Sequence, residues 1–185
     1  MVKQYEMRLA GSGGQGIILA TIILANAALY AGKYTAQSQS YGPEARGGLC
    51  KAETIVSDHE IGFPKVRMSD FLLALTQESL DKYASMSKPG SILIVDDELR
   101  LADWQKTQNV YRLPILRTAR ETVGKAFTAN IVAVGAIGAI VKLFDYDALQ
   151  RAVLAHVPKG TEERNQKALR AGWELVESLP NNCKG

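Results

Sequence analysis

Residues 7–32, MRLAGSGGQGIILATIILANAALYAG, constrain this chain more than any other stretch. Residues 5–10 read as a strand, Gly11-Ser12-Gly13-Gly14-Gln15-Gly16 as a turn, and residues 16–31 as an apolar run of helical length. A strand that passes through glycines straight into a helix is the opening of a Rossmann-like crossover unit. The pattern then repeats with less glycine. Residues 33–37 read as a short extended segment, 49–57 as a strand of alternating character, 58–64 as turns and 70–75 as a buried strand. Thr76 with Glu78 and Ser79 opens a helix carrying Leu80 and Tyr83. Lys88-Pro89-Gly90 predicts a turn into residues 91–95, which are apolar on both faces as buried parallel strands are. Residues 109–113 read as a last strand, and helices are expected over 128–143, 146–156 and 162–178. Alternating strands and helices imply an α/β fold, a three-layer α/β/α sandwich on a mostly parallel sheet. The tight turn after residues 49–57 lets that strand run antiparallel, so a mixed sheet is expected.

Bulk properties narrow the class. At 185 residues and 46% hydrophobic content, residues 1–185 suit a single domain with one core. The 22 basic and 19 acidic residues leave a charge of +3, too balanced for nucleic-acid binding, and no dense basic run is present. Cys50 and Cys183 are far apart and lack the spacing of a cluster or zinc site. The apolar run over 17–32 is shorter than the ~20 residues of a membrane span, and the run over 128–144 contains Asn130 and Lys142. No charged n-region with an apolar h-region opens the sequence, so a reducing, cytoplasmic location is expected.

Gly11-x-Gly13-x-x-Gly16 has the spacing and the strand-to-helix context of a dinucleotide fingerprint. Glycines permit close backbone approach, and a helix N-terminus offers unpaired N–H groups to an anion. The second half of the fingerprint is missing, because residues 33–37 hold no Asp or Glu to bind a ribose. Ile17-Ile18 also stands where a phosphate-binding loop needs Lys and Ser or Thr. An anion cradle and a tight turn without ligand both remain open at this point. A second unusual stretch contains Ser40, Tyr41, Gly42, Pro43, Glu44, Ala45, Arg46, Gly47 and Gly48. Arg46 suits a phosphate or carboxylate, and Gly47-Gly48 suits close backbone approach; a surface loop with Arg46 paired to Glu44 fits equally.

Taken together, GSGGQG before a long apolar helix and SYGPEARGG some way on resemble the gamma subunit, or gamma domain, of the 2-oxoacid:ferredoxin oxidoreductases. The resemblance continues through LTQESLDKYAS, KPGSILIVDD, NIVAVGA and ERNQKALRAGW, covering nearly the whole chain. It implies an accessory subunit of a hetero-oligomer that decarboxylates a 2-oxoacid oxidatively with coenzyme A, giving acyl-CoA and carbon dioxide. Of the family's substrates, 2-oxoglutarate is expected before pyruvate. Thiamine diphosphate, magnesium and iron-sulfur clusters are implied on alpha and beta catalytic chains and a ferredoxin-like delta chain, with ferredoxin as electron acceptor. This chain is expected to hold no cofactor firmly by itself. Gly11, Ser12, Gly13, Gly14, Gln15, Gly16, Ser40, Tyr41, Arg46, Gly47 and Gly48 are the expected contacts to coenzyme A or to partner backbone.

No catalytic residue and no metal ligand is assigned. Asp97 of Asp96-Asp97-Glu98 is expected to cap a helix running through Trp104 rather than to bind a metal. The helix over 130–140, rich in small residues, and Trp173 are expected in the core. An indolepyruvate oxidoreductase subunit and a stand-alone nucleotide-binding oxidoreductase are the alternative readings.

Overall fold

The computed structural model describes residues 4–41, 48–103 and 109–179. Six strands form one sheet, β1 (Gln4–Ser12), β2 (Tyr34–Tyr41), β3 (Leu49–Ser57), β4 (Ser69–Ala74), β5 (Ser87–Asp96) and β6 (Asn109–Leu113), in the order β2-β3-β1-β4-β5-β6. The β1–β4, β4–β5 and β5–β6 pairings are parallel, and β3 runs antiparallel to both β1 and β2. The expected mixed sheet is therefore found, and the reversed strand is the expected one. β2 runs past the anticipated residue 37 to Tyr41, because pairing with β3 along its whole length holds polar Gln and Ser residues in extended form. Lys88-Pro89-Gly90 is not a turn before β5 but lies within it. The β4 partner steps from Ser87 opposite Ser69 to Ile92 opposite Phe71, and the extra residues bulge out, with Gly90 at φ 76°.

The described residues also form six α-helices, α1 (Ile17–Tyr30), α2 (Gln77–Tyr83), α3 (Ile115–Glu121), α4 (Ala129–Val141), α5 (Tyr146–His156) and α6 (Glu162–Glu177), and short 3-10 turns at Ala84–Met86 and Ala126–Thr128. α2 starts on the expected signal. The Thr76 side chain accepts from the Ser79 N–H, and the Ser79 side chain closes the reciprocal bond to the Thr76 N–H. α3 was not expected, since its seven residues bury only Ile115, Thr118 and Ala119 and carry too short a periodic signal. The cap assigned to Asp97 is corrected here. Asp97 lies in the turn after β5 and binds Arg117, whereas its neighbour Asp96 accepts from the Leu116 N–H at 2.8 Å and so caps α3. Trp104 lies outside the described residues.

The two faces of the sheet are covered unequally. Met7, Leu9, Phe71, Leu73 and Ile94 share one apolar cluster with α1, α3, α4, α5 and α6. Ala10, Leu72, Ala74, Leu93 and Val95 pack on the other side beneath Leu80 and Tyr83 of α2. The expected three layers are present, and the α1 side is built around one helix. Residues 129–138 of α4 are all buried, so every side of that helix is covered, as its apolar sequence requires. α6 reaches it by direct backbone approach. A Cβ on Gly172 would fall 1.8 Å from the Val132 carbonyl oxygen, and one on Gly135 would fall 2.1 Å from that of Leu169. These small residues thus serve core packing, as expected.

A charged group is buried on the α2 face. Arg8, 1% exposed, donates through Nε to Glu53 Oε1 at 2.7 Å, through Nη1 to the Met86 carbonyl at 3.0 Å, and through Nη2 to the Val66 carbonyl at 3.2 Å. Its guanidinium lies 5.6 Å from the centre of the Tyr83 ring. Lys51 adds a second cation to Glu53 at 3.1 Å.

Two substitutions test this packing by chemical denaturation. Gly172→Ala is expected to cost about 3 kcal/mol or more because a backbone oxygen cannot yield, while Gly62→Ala, exposed with open space at its Cβ, should stay within about 0.5 kcal/mol. Arg8→Met should cost about 3–5 kcal/mol by leaving Glu53 buried beside Lys51 alone, and adding Glu53→Met should restore part of that loss.

Candidate functional site

α1 leaves β1 toward β2 on one face of the sheet, and α2 leaves β4 toward β5 on the other. The chain thus diverges between β1 and β4, and such a divergence opens a crevice at the carboxyl ends of the strands. The glycine loop over 11–16 sits there. So does the end of β2, because Ser40 pairs with Lys51 and Tyr41 with Cys50, while Gly11 pairs with Cys50 from the other side of β3.

The structure therefore brings the two glycine stretches together. The Gly13 N–H donates to the Gly48 carbonyl at 2.9 Å, a direct bond between them. Ser12 and Gly48 are partly exposed, and Gly13, Gly14 and Ser40 are exposed. Arg46 and Gly47 lie outside the described residues, as do 42–45.

Within the loop the hydrogen-bonding differs from a bare phosphate cradle. Gln15 folds back so that its Oε1 accepts from the Ser12 N–H at 2.7 Å, and the Gln15 N–H donates to the Ser12 carbonyl at 3.2 Å. With Gly13 bound to Gly48, three of the loop's amides are occupied by the protein itself. What remains for an anion is the first turn of α1, whose leading N–H groups have no carbonyl one turn back. Gly16 caps that helix in the left-handed region at φ 72°, with no side-chain cap bond. A Cβ there would fall 2.4 Å from Asn130 Nδ2, and the same nitrogen donates to the Gly16 carbonyl at 3.3 Å.

Asn130 and Lys51 were not singled out as site residues. Asn130 opens α4, which brings a buried amide from far along the chain onto the loop. Its signal was the NIVAVGA motif, whose polar first residue has no role in an apolar helix unless something needs its hydrogen bonds. Lys51 lies in register beside Ala10 and Ser40, on the face that holds Arg8, and its ammonium is 5.8 Å from the Tyr83 ring centre. The alternation of β3 carried that signal.

Titratable groups nearby are not poised for catalysis. Burial pushes the Cys50 thiol up, so it stays protonated near neutral pH. Burial also raises the Tyr83 hydroxyl, with Arg8 opposing. Among the described residues, no group of three or more His, Cys, Asp or Glu side chains is arranged to hold a metal. Two cavities, of 270 and 550 Å³, share Ala139, Lys142 and Trp173. They adjoin the end of α4 remote from Asn130, about 18 Å away along the helix axis.

A family model described as pyruvate ferredoxin/flavodoxin oxidoreductase matches residues 6–175. A 2-oxoglutarate synthase subunit KorC of Methanocaldococcus jannaschii is 44% identical over 94% of this chain and 95% of its own length. A pyruvate synthase subunit PorC of Methanothermobacter thermautotrophicus is 28% identical over 96% of this chain and 98% of its own. The crystal structure of a keto/oxoacid ferredoxin oxidoreductase gamma subunit from Geobacter sulfurreducens superposes with a TM-score of 0.86 at 43% identity. It covers 95% of this chain and 97% of that one.

The loop geometry sets an expected order of effects on stability, read from denaturation midpoints. Gly16→Ala should cost about 1–3 kcal/mol, from left-handed strain and displacement of Asn130. Gln15→Ala should cost about 1–2 kcal/mol by leaving the Ser12 amide without its acceptor, and it should speed hydrogen exchange at that amide.

Proposed function

Since the chain belongs to the pyruvate ferredoxin/flavodoxin oxidoreductase family, we propose that it is the gamma subunit of a 2-oxoglutarate:ferredoxin oxidoreductase complex. The observation that carries the reading is whole-length similarity, graded by substrate: 44% to a 2-oxoglutarate synthase subunit against 28% to a pyruvate synthase subunit of similar coverage. In the assembled complex the 2-oxoacid loses carbon dioxide, its acyl group passes to coenzyme A, and two electrons leave to ferredoxin. This chain supplies neither the carbanion chemistry nor the electron path. With two cysteines in the sequence, one of them buried, its donor set does not fit an iron-sulfur cluster. On the family likeness, thiamine diphosphate, magnesium and clusters are assigned to alpha, beta and ferredoxin-like delta partners of a cytoplasmic assembly.

The role left to this chain is recognition, with residues 1–185 acting as one gamma-type domain. Ser12, Gly14, Gln15 and Gly16 with the first turn of α1, and Ser40, Tyr41, Gly47 and Gly48 with Arg46, form the surface offered to coenzyme A or to partner backbone. Gly13, exposed, belongs to the same surface, and the buried Gly11 shapes it. The coenzyme A reading is supported by residue type, because phosphates favour a guanidinium and the unpaired N–H groups of a helix N-terminus.

Tagged protein purified from native extract should bring down thiamine-binding and cluster-binding chains. The eluate should reduce viologen with 2-oxoglutarate and coenzyme A, and more slowly with pyruvate. Recovery of the chain alone, or activity with pyruvate only, would overturn the assignment. Arg46→Ala, in the complex, should raise the KM for coenzyme A about tenfold or more while leaving that for 2-oxoglutarate unchanged, as expected for loss of one charge-assisted phosphate contact.

A further inference from the structure

The α2 face of the sheet is covered unevenly. Its apolar cluster lies beneath α2, which is seven residues long. By alternation along the strands, Glu6 and Arg8 share the face of Ala10, and Asp70 that of Leu72. What lies over this amino-terminal half is backbone of the crossover over 58–68 and of residues 84–86, since Arg8 donates to the carbonyls of Val66, Arg67 and Met86. A layered α/β fold buries both faces of its sheet, and here one layer is thin.

That thin layer turns large apolar side chains outward. Phe63 is 52% exposed, Met68 40% and Met86 41%. Met68 and Met86 stand side by side, because the next residues, Ser69 and Ser87, pair across β4 and β5 with their hydroxyls 3.2 Å apart. The Arg67 guanidinium lies 5.3 Å from the centre of the Phe63 ring, and a cavity of 290 Å³ opens between Glu6, Phe63, Lys65 and Arg67. Among the described residues, neither Lys65 nor Arg67 has a carboxylate partner. The carboxylates of Glu6 and Asp70 are already engaged with Lys88, at 3.9 and 2.9 Å.

We propose that this face seats another subunit of the oxidoreductase complex, one that meets Lys65 and Arg67 with carboxylates and lays apolar side chains on Phe63, Met68 and Met86. The inference rests on the assignment to a multisubunit complex and goes beyond it by naming the face and the partner's chemistry. In a ketoisovalerate oxidoreductase subunit VorA of Methanothermobacter marburgensis, 34% identical over 75% of this chain, the match takes up 29% of that protein's length, so there the matching region adjoins further chain. Two unpaired cations beside exposed apolar groups select an acidic partner, because facing charges must be complementary. A second copy does not supply one. On its crossover and on β1 and β4, Asp58 holds Lys33, while Glu6 and Asp70 hold Lys88, which leaves Glu60 against two cations on each copy.

Limited oxidation by hydrogen peroxide, read by peptide mass spectrometry, tests this on the full chain alone and on the complex purified from native extract. Met68 and Met86 should be converted to sulfoxide about tenfold or more slowly in the complex than in the lone chain, as burial of their sulfurs requires. Met7, fully buried, should stay slow in both and report that the chain is folded. Co-expressed with an equal amount of wild type, a chain carrying Lys65→Glu and Arg67→Glu should enter the complex about tenfold less often. Thermal unfolding of that variant alone should match wild type, because both side chains are exposed. A complex of the expected chains in which Met68 and Met86 oxidise as fast as in the lone chain, or which takes up the variant equally, overturns this inference alone. Recovery of the chain without cofactor-bearing chains overturns the functional assignment and this inference together. Protection that appears in the lone chain on concentration, or on adding phosphatidylserine vesicles, assigns the face to a second copy or to a lipid surface and overturns the proposal too. Should the variant fail to fold, oxidation of the wild type decides by itself.

Discussion

A guanidinium buried beneath α2 organises the sheet around β1. Burying such a charge costs several kcal/mol unless it is paired and its N–H groups are bonded. Arg8 meets that demand with partners from three places: Glu53 on β3, the carbonyl of Val66 on the crossover to β4, and that of Met86 after α2. Its neighbours are thereby set. β3 must lie beside β1 with Glu53 opposite Arg8, which is the register found. The crossover must pass close enough for its backbone to accept. The reversed strand, the crossing and the divergence between β1 and β4 therefore come as one unit, and the carboxyl-end crevice depends on it.

The other face depends on contact without side chains. Gly135 and Gly172 let α4 and α6 approach until carbonyl oxygens stand where a Cβ would be. That approach covers α4 fully, and α4 then delivers Asn130 to the Gly16 carbonyl at the head of α1. Packing at the back of the molecule in this way holds the glycine loop at its front. Gln15, Gly48 and Asn130 together hold the loop by hydrogen bonds. Near the crevice, burial raises the Cys50 thiol and the Tyr83 phenol, and Arg8, Lys51 and Glu53 are paired with one another.

Much of this was legible along the chain. Thr76 with Ser79 marked the start of α2, the apolar runs marked α1 and α4, and the reversal at β3 followed from its tight exit. Periodicity and turn chemistry are local, so sequence alone determined the α/β class, the helices with full periods and the two glycine stretches as the place to look. Short elements without a full period, such as α3, and polar strands held by their neighbour, such as the second half of β2, were not legible, because pairing and burial stabilise them rather than propensity. The occupancy of the loop amides, the cap from Asp96 rather than Asp97, and the arrival of Asn130 and Lys51 were decided only by tertiary structure. Each joins residues distant in sequence, and the free energy that selects such a partner exists only once the sheet and α4 are in place.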